Sequence, residues 1–358
     1  MRRLLRVAFS AGSAALLAVL GACGSHSAKP DRPTAALGSS SPDAAATRAT
    51  VVGEEPWTFE SVPGRAVRTS SYRVFTIVPR GRSADDLPMF LEQALLHYRT
   101  AITVLPPPPV AMDAYVLANR SQWQRLTRTV LGDGAGPYIN IPRGGVAVGG
   151  KAMYFDIGTR DTFVIAAHEG WHQYTQTAFR DPLPVWLDEG VATFMEGFSW
   201  DHATPGLAAF NGWNNLERYD ALRRGVQSDT LLSLEALVNL GPADLVEAGP
   251  DVALVVYAQM WALIHFLREG ENGEFASSLR QMLADAASGE MSVRLARDAG
   301  PRAGEQFRSR RAGADVFRIY TGRSAASIER AYRATIEQII ALGGRDAVVA
   351  GRSPLTMP

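Results

Sequence analysis

The spacing of apolar and polar residues changes period partway along the chain. Residues 72–78, Tyr72-Arg73-Val74-Phe75-Thr76-Ile77-Val78, alternate with period two and predict a half-buried strand. Residues 87–102 place Leu87, Phe90, Leu91, Ala94, Leu95 and Tyr98 at helical spacing. The prolines at 106–109 bar any continuation of that helix, because proline lacks the N–H donor and restricts Leu105 before it. Residues 110–118 are strand-like again, and 121–131 predict a capped helix around Trp123 and Leu126. Residues 144–156 predict glycine-punctuated strands ending in Ala152-Met153-Tyr154-Phe155. From 160 onward the pattern is mostly helical, most clearly over 251–268, 275–287 and 324–342. No repeat occurs at solenoid or propeller periods. The expected fold class is α+β. A mixed α/β part with a short sheet (51–157) precedes a mostly helical half (158–345) and a tail (346–358).

The N-terminus changes what the composition means. Over all 358 residues, 36 basic side chains balance 36 acidic ones, and apolar residues make up 46%. That apolar content excludes disorder throughout, and the balanced charge argues against nucleic acid as a partner. Yet Arg2, Arg3 and Arg6 precede an uncharged apolar run at 7–20, too short for a confident membrane span. The run ends in Leu20-Gly21-Ala22-Cys23, which holds the only cysteine of the chain. This arrangement resembles the lipobox of bacterial lipoproteins. The resemblance implies a signal peptide over 1–22 and lipidation at Cys23. It also implies anchorage to the outer membrane or to the outer face of the cytoplasmic membrane. An ordinary secretory signal with a chance cysteine is the alternative. Residues 23–50 are mostly small, polar or proline and read as a flexible tether. Removal of 1–22 takes away three arginines and no acid, leaving 33 basic against 36 acidic residues. No second long apolar run follows, so the body is expected to be soluble and held only by its anchor.

Candidate chemistry lies at the start of the helical half. His168-Glu169-Gly170-Trp171-His172 is an H-E-x-x-H sequence, preceded by Phe163-Val164-Ile165-Ala166-Ala167. On an α-helix, i and i+4 share one face, so both imidazoles can reach one ion. Zinc accepts such nitrogens at about 2.0–2.1 Å. Glu169 is turned about 100° from His168, where it can contact a metal-bound water without being a ligand. The motif alone also fits two histidines on a buried helix satisfied by carbonyls, and Gly170 costs about 1 kcal/mol relative to alanine in a helix. Sixteen residues after His172 comes Glu189, within Leu183-Pro184-Val185-Trp186-Leu187-Asp188-Glu189-Gly190-Val191-Ala192. Proline there can open a second helix that presents Glu189 as third ligand. Two histidines and one carboxylate, with a fourth position open to water, suit a catalytic rather than a structural zinc site. A third histidine of the H-E-x-x-H-x-x-G-x-x-H kind is excluded, because Thr175 and Ala178 stand where glycine and histidine would be needed. Glu196, about 10 Å from Glu189 along its helix, is a candidate outer carboxylate or a surface residue. Asp188 is a second outer candidate.

H-E-x-x-H followed by W-L-D-E-G-V-A resembles the gluzincin metallopeptidases, which include thermolysin and the aminopeptidase N type enzymes. In the latter the second motif commonly reads W-L-N-E-G-F-A. The resemblance implies a zincin-like fold, one zinc ion held by His168, His172 and Glu189, and Glu169 as general base. This chain has Asp188 in place of asparagine, a slightly shorter separation between the motifs, and no Gly-x-Met-Glu-Asn strand for binding a free amino terminus. An endopeptidase is therefore expected, with Tyr154 and its neighbours as an edge strand that aligns a peptide backbone. Tyr257-Ala258-Gln259-Met260-Trp261-Ala262 resembles the aminopeptidase N type helix that opens with a catalytic tyrosine. Tyr257 would then donate to the oxyanion, or else be a core tyrosine of a packed helix. The overall arrangement resembles bacterial members of the peptidase MA-like group over about 110–330. His97, His202 and His265 are expected to lie outside the site. The 199–250 segment, with Trp200 and Trp213, is expected to wall the cleft or cover it.

The expected activity is zinc-assisted hydrolysis of peptide bonds in a peptide or protein substrate. Two alternatives from other classes are an inactive zinc-binding envelope scaffold and a structural lipoprotein without metal.

Overall fold

In the N-terminal third the period-two segments pair into a six-stranded mixed sheet. Its strands are β1 (Gly53–Phe59), β2 (Val62–Arg68), β3 (Tyr72–Thr76), β4 (Met112–Leu117), β5 (Gly145–Val148) and β6 (Lys151–Phe155), in spatial order β1-β2-β3-β4-β6-β5. The computed structural model describes residues 51–140, 144–201, 203–204, 206–247, 249–311 and 313–356. The expected signal peptide, tether and lipidation site at Cys23, and also His202, lie outside the described residues. β3, β4 and β6 run parallel, while β5 returns antiparallel to β6.

Each strand face finds its own core. Ala152 and Tyr154 join Val74, Ala114 and Val116 under two helices, Leu87–Thr100 and Thr159–Ala178. Met153 and Phe155 point the other way, toward Leu117, Trp123 and Val146 beneath the helix Arg120–Leu131. Asn119 caps that helix by accepting from the Gln122 amide at 3.1 Å, and Trp123 donates to the Met153 carbonyl at 2.9 Å. The expectation of an edge strand around Tyr154 is corrected here. β6 lies between β4 and β5, so Tyr154 is interior and fully buried, and β5 forms the edge.

Three helices carry the candidate chemistry. The His helix (Thr159–Ala178) lies on β5 and β6, and the Glu helix (Val185–Met195) follows Pro184, whose extended backbone ends the intervening loop. The Tyr helix (Pro250–Glu269) packs against the Glu helix and against Leu216–Gln227. Contrary to the expectation of no second long apolar run, Asp251–Glu269 has the length and hydropathy of a membrane span. Its apolar surface is instead buried at the centre of the helical half, which explains why it is apolar all round. Beyond it run Ala276–Ser288, Glu290–Ala299, Pro301–Arg310, Ala314–Thr321 and Ala325–Ile340. A last short helix, Gly344–Val349, packs on Leu216–Gln227 with Val348 buried.

Gly170 has a steric cause that outweighs its poor helix propensity. A Cβ at that position would stand 2.6 Å from the Tyr98 hydroxyl, and Tyr98 is held in place by donating to the Ala167 carbonyl at 2.7 Å. The His helix therefore sits close on Leu87–Thr100 because residue 170 has no side chain. Replacing Gly170 by alanine gains about 1 kcal/mol of helix propensity but costs about 1–3 kcal/mol of overpacking against a rigid buried ring. Gly170→Ala is expected to lower the midpoint of urea unfolding. A raised midpoint would show that Tyr98 yields.

A buried His-His-Glu centre with two arginine-backed carboxylates

Local sequence sets the start and aim of the His helix. Gly158 supplies a positive φ of 101° immediately before it, and Thr162 links the Ile157 amide to Asp156 through its hydroxyl. From Thr162 to Thr175 nearly every residue is buried, because the sheet, Leu87–Thr100 and the Glu helix enclose it. His168 and His172, one turn apart, bring their Nε2 atoms to 3.2 Å. The Glu helix crosses so that Glu189 Oε2 lies 3.3 Å from each of them. These three side chains form a group able to hold a metal ion, and none of them is more than 1% exposed.

The far side of each imidazole is tied to a carboxylate. His168 Nδ1 meets Glu196 at 2.8 Å, and His172 Nδ1 meets Asp188 at 3.1 Å. With the proton on Nδ1, each Nε2 lone pair faces the shared point, as a metal-binding histidine requires. Both carboxylates are in turn held by a buried arginine. Arg218 donates to Glu196 through Nε at 2.9 Å and Nη2 at 2.6 Å, and Asn215 adds a bond at 2.7 Å. Arg311 donates to Asp188 at 2.6 Å and to the Leu183 carbonyl at 2.7 Å, while Trp171 reaches the other Asp188 oxygen at 3.0 Å. Glu196 is thus an inner partner of His168 and has no surface position; it is 2% exposed.

Charge decides what such a cluster can accept. Glu169, Asp188, Glu189 and Glu196 are four buried carboxylates against two buried guanidiniums, Arg218 and Arg311. With neutral histidines and ionised carboxylates the sum is two negative charges, which a dication cancels. Burial would raise the Glu196 carboxyl, but Arg218 and His168 reverse this and hold it down to about 2. His172 and Arg311 likewise overcome burial at Asp188 and hold it well below the usual carboxylate range. Glu169 differs. Neither of its oxygens makes a short, well-aligned hydrogen bond, and burial pushes it up to about 7, with the two histidines and the nearby Ala147 amide only partly offsetting the rise. The edge strand runs close beside it: a Cβ on Gly145 of β5 would stand 2.8 Å from Glu169 Cγ.

Tyr257, on the Tyr helix, is fully buried and meets His168 edge-on with ring centroids 6.1 Å apart. The guanidinium of Arg218 stands 5.5 Å from the centre of the same tyrosine ring. The remaining described histidines lie elsewhere. His265 stacks on Trp213 at 3.5 Å and faces the Gly212 carbonyl at 3.3 Å. His97 stacks on Phe210 at 5.1 Å, and burial lowers it to about 4. Asn215, Arg218 and Arg311 were absent from the sequence expectations because no local motif marks them. The signal available was an unbalanced set of acidic groups in an apolar helix pair, which demands buried cations from elsewhere.

The protonation of the metal-free cluster fixes a sign. Burial would lower both histidines, yet their carboxylate partners raise His168 and raise His172 well above the usual value. Glu169 is raised as well. Above the usual histidine range His168 and His172 make the native state bind more protons than the unfolded chain, so stability falls with rising pH there. Below it the raised Glu169 is opposed by His97 and His265, which burial lowers. Chelator-treated protein is expected to lose stability as the pH rises above the usual histidine range, through His168 and His172. Metal affinity is expected to rise over the same span, since ligand protons and metal compete. Urea unfolding with and without metal measures both, and a metal-free stability that increases with pH above the usual histidine range would contradict this arrangement of protons.

Residues 163–286 match the family described as "Protein of unknown function (DUF1570)", a stretch that includes the His helix from Phe163 on and the whole of the Glu and Tyr helices, and ends before Arg311. No curated protein matches the chain.

Proposed function

We propose that the protein is a zinc-dependent peptidase of gluzincin type, exported and anchored to a bacterial envelope membrane through a lipid at Cys23. The observation that carries this reading is the convergence of His168 Nε2, His172 Nε2 and Glu189 Oε2 at mutual separations of 3.2, 3.3 and 3.3 Å. Ligands at 2.0–2.1 Å in tetrahedral directions are about 3.3 Å apart, so the residues present fit zinc without rearrangement. Two nitrogens and one carboxylate also match its preference, and leave a fourth position. Zinc held there would supply Lewis acidity, making water a nucleophile near neutral pH and polarising a scissile carbonyl.

The protein's own groups account for the remaining steps. Glu169 is bonded to no guanidinium or imidazole and has a carboxyl pushed up to about 7, near the value at which a group both takes and returns a proton. It accepts the proton of the attacking water and delivers it to the departing amide nitrogen. Tyr257, beside His168, donates to the oxyanion that develops on the carbonyl oxygen. Among the described residues β5 pairs only with β6 and ends the sheet beside Glu169. Val146 and Ala147 are buried and Gln176 donates to the Ala147 carbonyl at 2.9 Å, so aligning an extended peptide there requires this edge to open. A second reading, a metal-holding scaffold without turnover, is favoured by the near-complete burial of His168, His172, Glu169 and Glu189.

Metal analysis and digestion of peptide libraries by the soluble body test these readings together. About one zinc per chain, lost in His168→Ala, is expected. Glu169→Gln is expected to keep zinc while lowering hydrolysis by about 10²–10⁴-fold. Hydrolysis that survives Glu169→Gln would remove Glu169 as the base, and zinc without hydrolysis would favour the scaffold. Tyr257→Phe is expected to lower kcat about tenfold or more at unchanged zinc content. An unchanged rate would return Tyr257 to the core.

A further inference from the structure

We propose that Arg311 is a positioning residue of the metal centre, acting on His172 through Asp188, so that the C-terminal helices complete the centre. The proposal rests on the metal-binding part of the reading above and not on peptidase activity.

Three independent features of Arg311 support it. First, its guanidinium is buried and makes two directed bonds, to Asp188 Oδ2 at 2.6 Å and to the Leu183 carbonyl at 2.7 Å. One side chain thus holds both the acid behind His172 and the loop that opens the Glu helix. Second, Arg311 ends the helix Pro301–Arg310 in the left-handed region, at φ 54° and ψ 36°. That position favours glycine, and a long side chain is kept there against the backbone preference. Third, the arrangement occurs twice. Arg218–Glu196–His168 has the same order of groups, built from Leu216–Gln227. Two arginine–carboxylate–imidazole chains from different parts of the sequence end at one point, with their Nε2 atoms 3.2 Å apart.

The physical role follows from the bonds. Asp188 orients His172 only while it remains an acceptor toward Nδ1, and a carboxylate buried without a cation would reorient or draw in water or a proton. Arg311 fixes it from the opposite side. Asp188 and Arg311 also line a cavity of about 260 Å³ together with Gly149, Thr175, Gln176 and Phe179. A small cation can therefore reach the place that a truncated Arg311 leaves.

The test compares zinc release to a chromogenic chelator from intact protein, Arg311→Gly and the double variant Asp188→Asn with Arg311→Gly. Glycine suits the left-handed backbone, so the single variant removes the guanidinium without imposing strain. It is expected to release zinc about 10–100-fold faster. Millimolar methylguanidinium is expected to slow that release, and to leave the wild type unchanged. The double variant is expected to return to within a few-fold of wild type, because the amide oxygen introduced by Asp188→Asn can still accept from His172 with no charge left bare. Wild-type release from Arg311→Gly would overturn the proposal. So would faster release that neither methylguanidinium nor the second substitution corrects, since that marks a loss of packing alone. A wild-type protein that takes up no zinc overturns the metal centre itself, whereas zinc binding without hydrolysis leaves Arg311 in its role.

Discussion

The structure depends on enclosing six charged side chains and two imidazoles where water does not reach. Isolated charges in such a place cost several kcal/mol each, even after relaxation. The solution is pairing at short range: Arg218 with Glu196, Arg311 with Asp188, and each acid with one histidine. These pairs do not by themselves reward folding, because desolvation offsets much of their attraction. They impose geometry. Each imidazole is left with one orientation and turns its Nε2 toward the shared point, so the centre is organised before any ion arrives.

That organisation extends into the surrounding packing. The His helix must approach Leu87–Thr100 and β5 closely, and glycine appears where a side chain would intervene, at Gly170 and Gly145. Gly190 plays the same part between the Glu and Tyr helices, where a Cβ would meet Ile264 at 2.8 Å and the Met260 carbonyl at 3.0 Å. Three close approaches thus draw four helices and an edge strand together. Substitutions at these glycines act on the centre through element spacing, although none of them touches a ligand atom.

Helical periodicity made much of this legible in the sequence. The i, i+4 spacing of His168 and His172 and the proline that opens the Glu helix were enough to bring three ligand candidates together. The β–α pattern before residue 157 likewise prefigures the sheet and its two flanking helices. What could not be read depends on contacts between distant segments. Which strand ends the sheet is decided by the return of β5 along β6, and short glycine-rich strands do not declare their order; Tyr154 is interior for that reason. Distance along the Glu helix separates Glu196 from Glu189, but it says nothing of His168 on a neighbouring helix, which Glu196 meets at 2.8 Å. Arg218 and Arg311 lie 22 and 123 residues from their acids and look like any surface arginine in the sequence.

Accounting for partners also separates the four carboxylates by role. Glu196 receives bonds from Arg218 and Asn215 and faces His168, and Asp188 is held by Arg311, Trp171 and His172. Glu189 faces both Nε2 atoms. Glu169 is bonded to no guanidinium or imidazole, and its carboxyl is the one pushed up rather than held down. A proton placed on Glu196 or Asp188 must break a bond to a guanidinium or an imidazole. On Glu169 it breaks no bond of that kind. If protons move in this centre, as hydrolysis of an amide requires, Glu169 offers the path of least cost, and the pairing of the other three is what reserves it for that use.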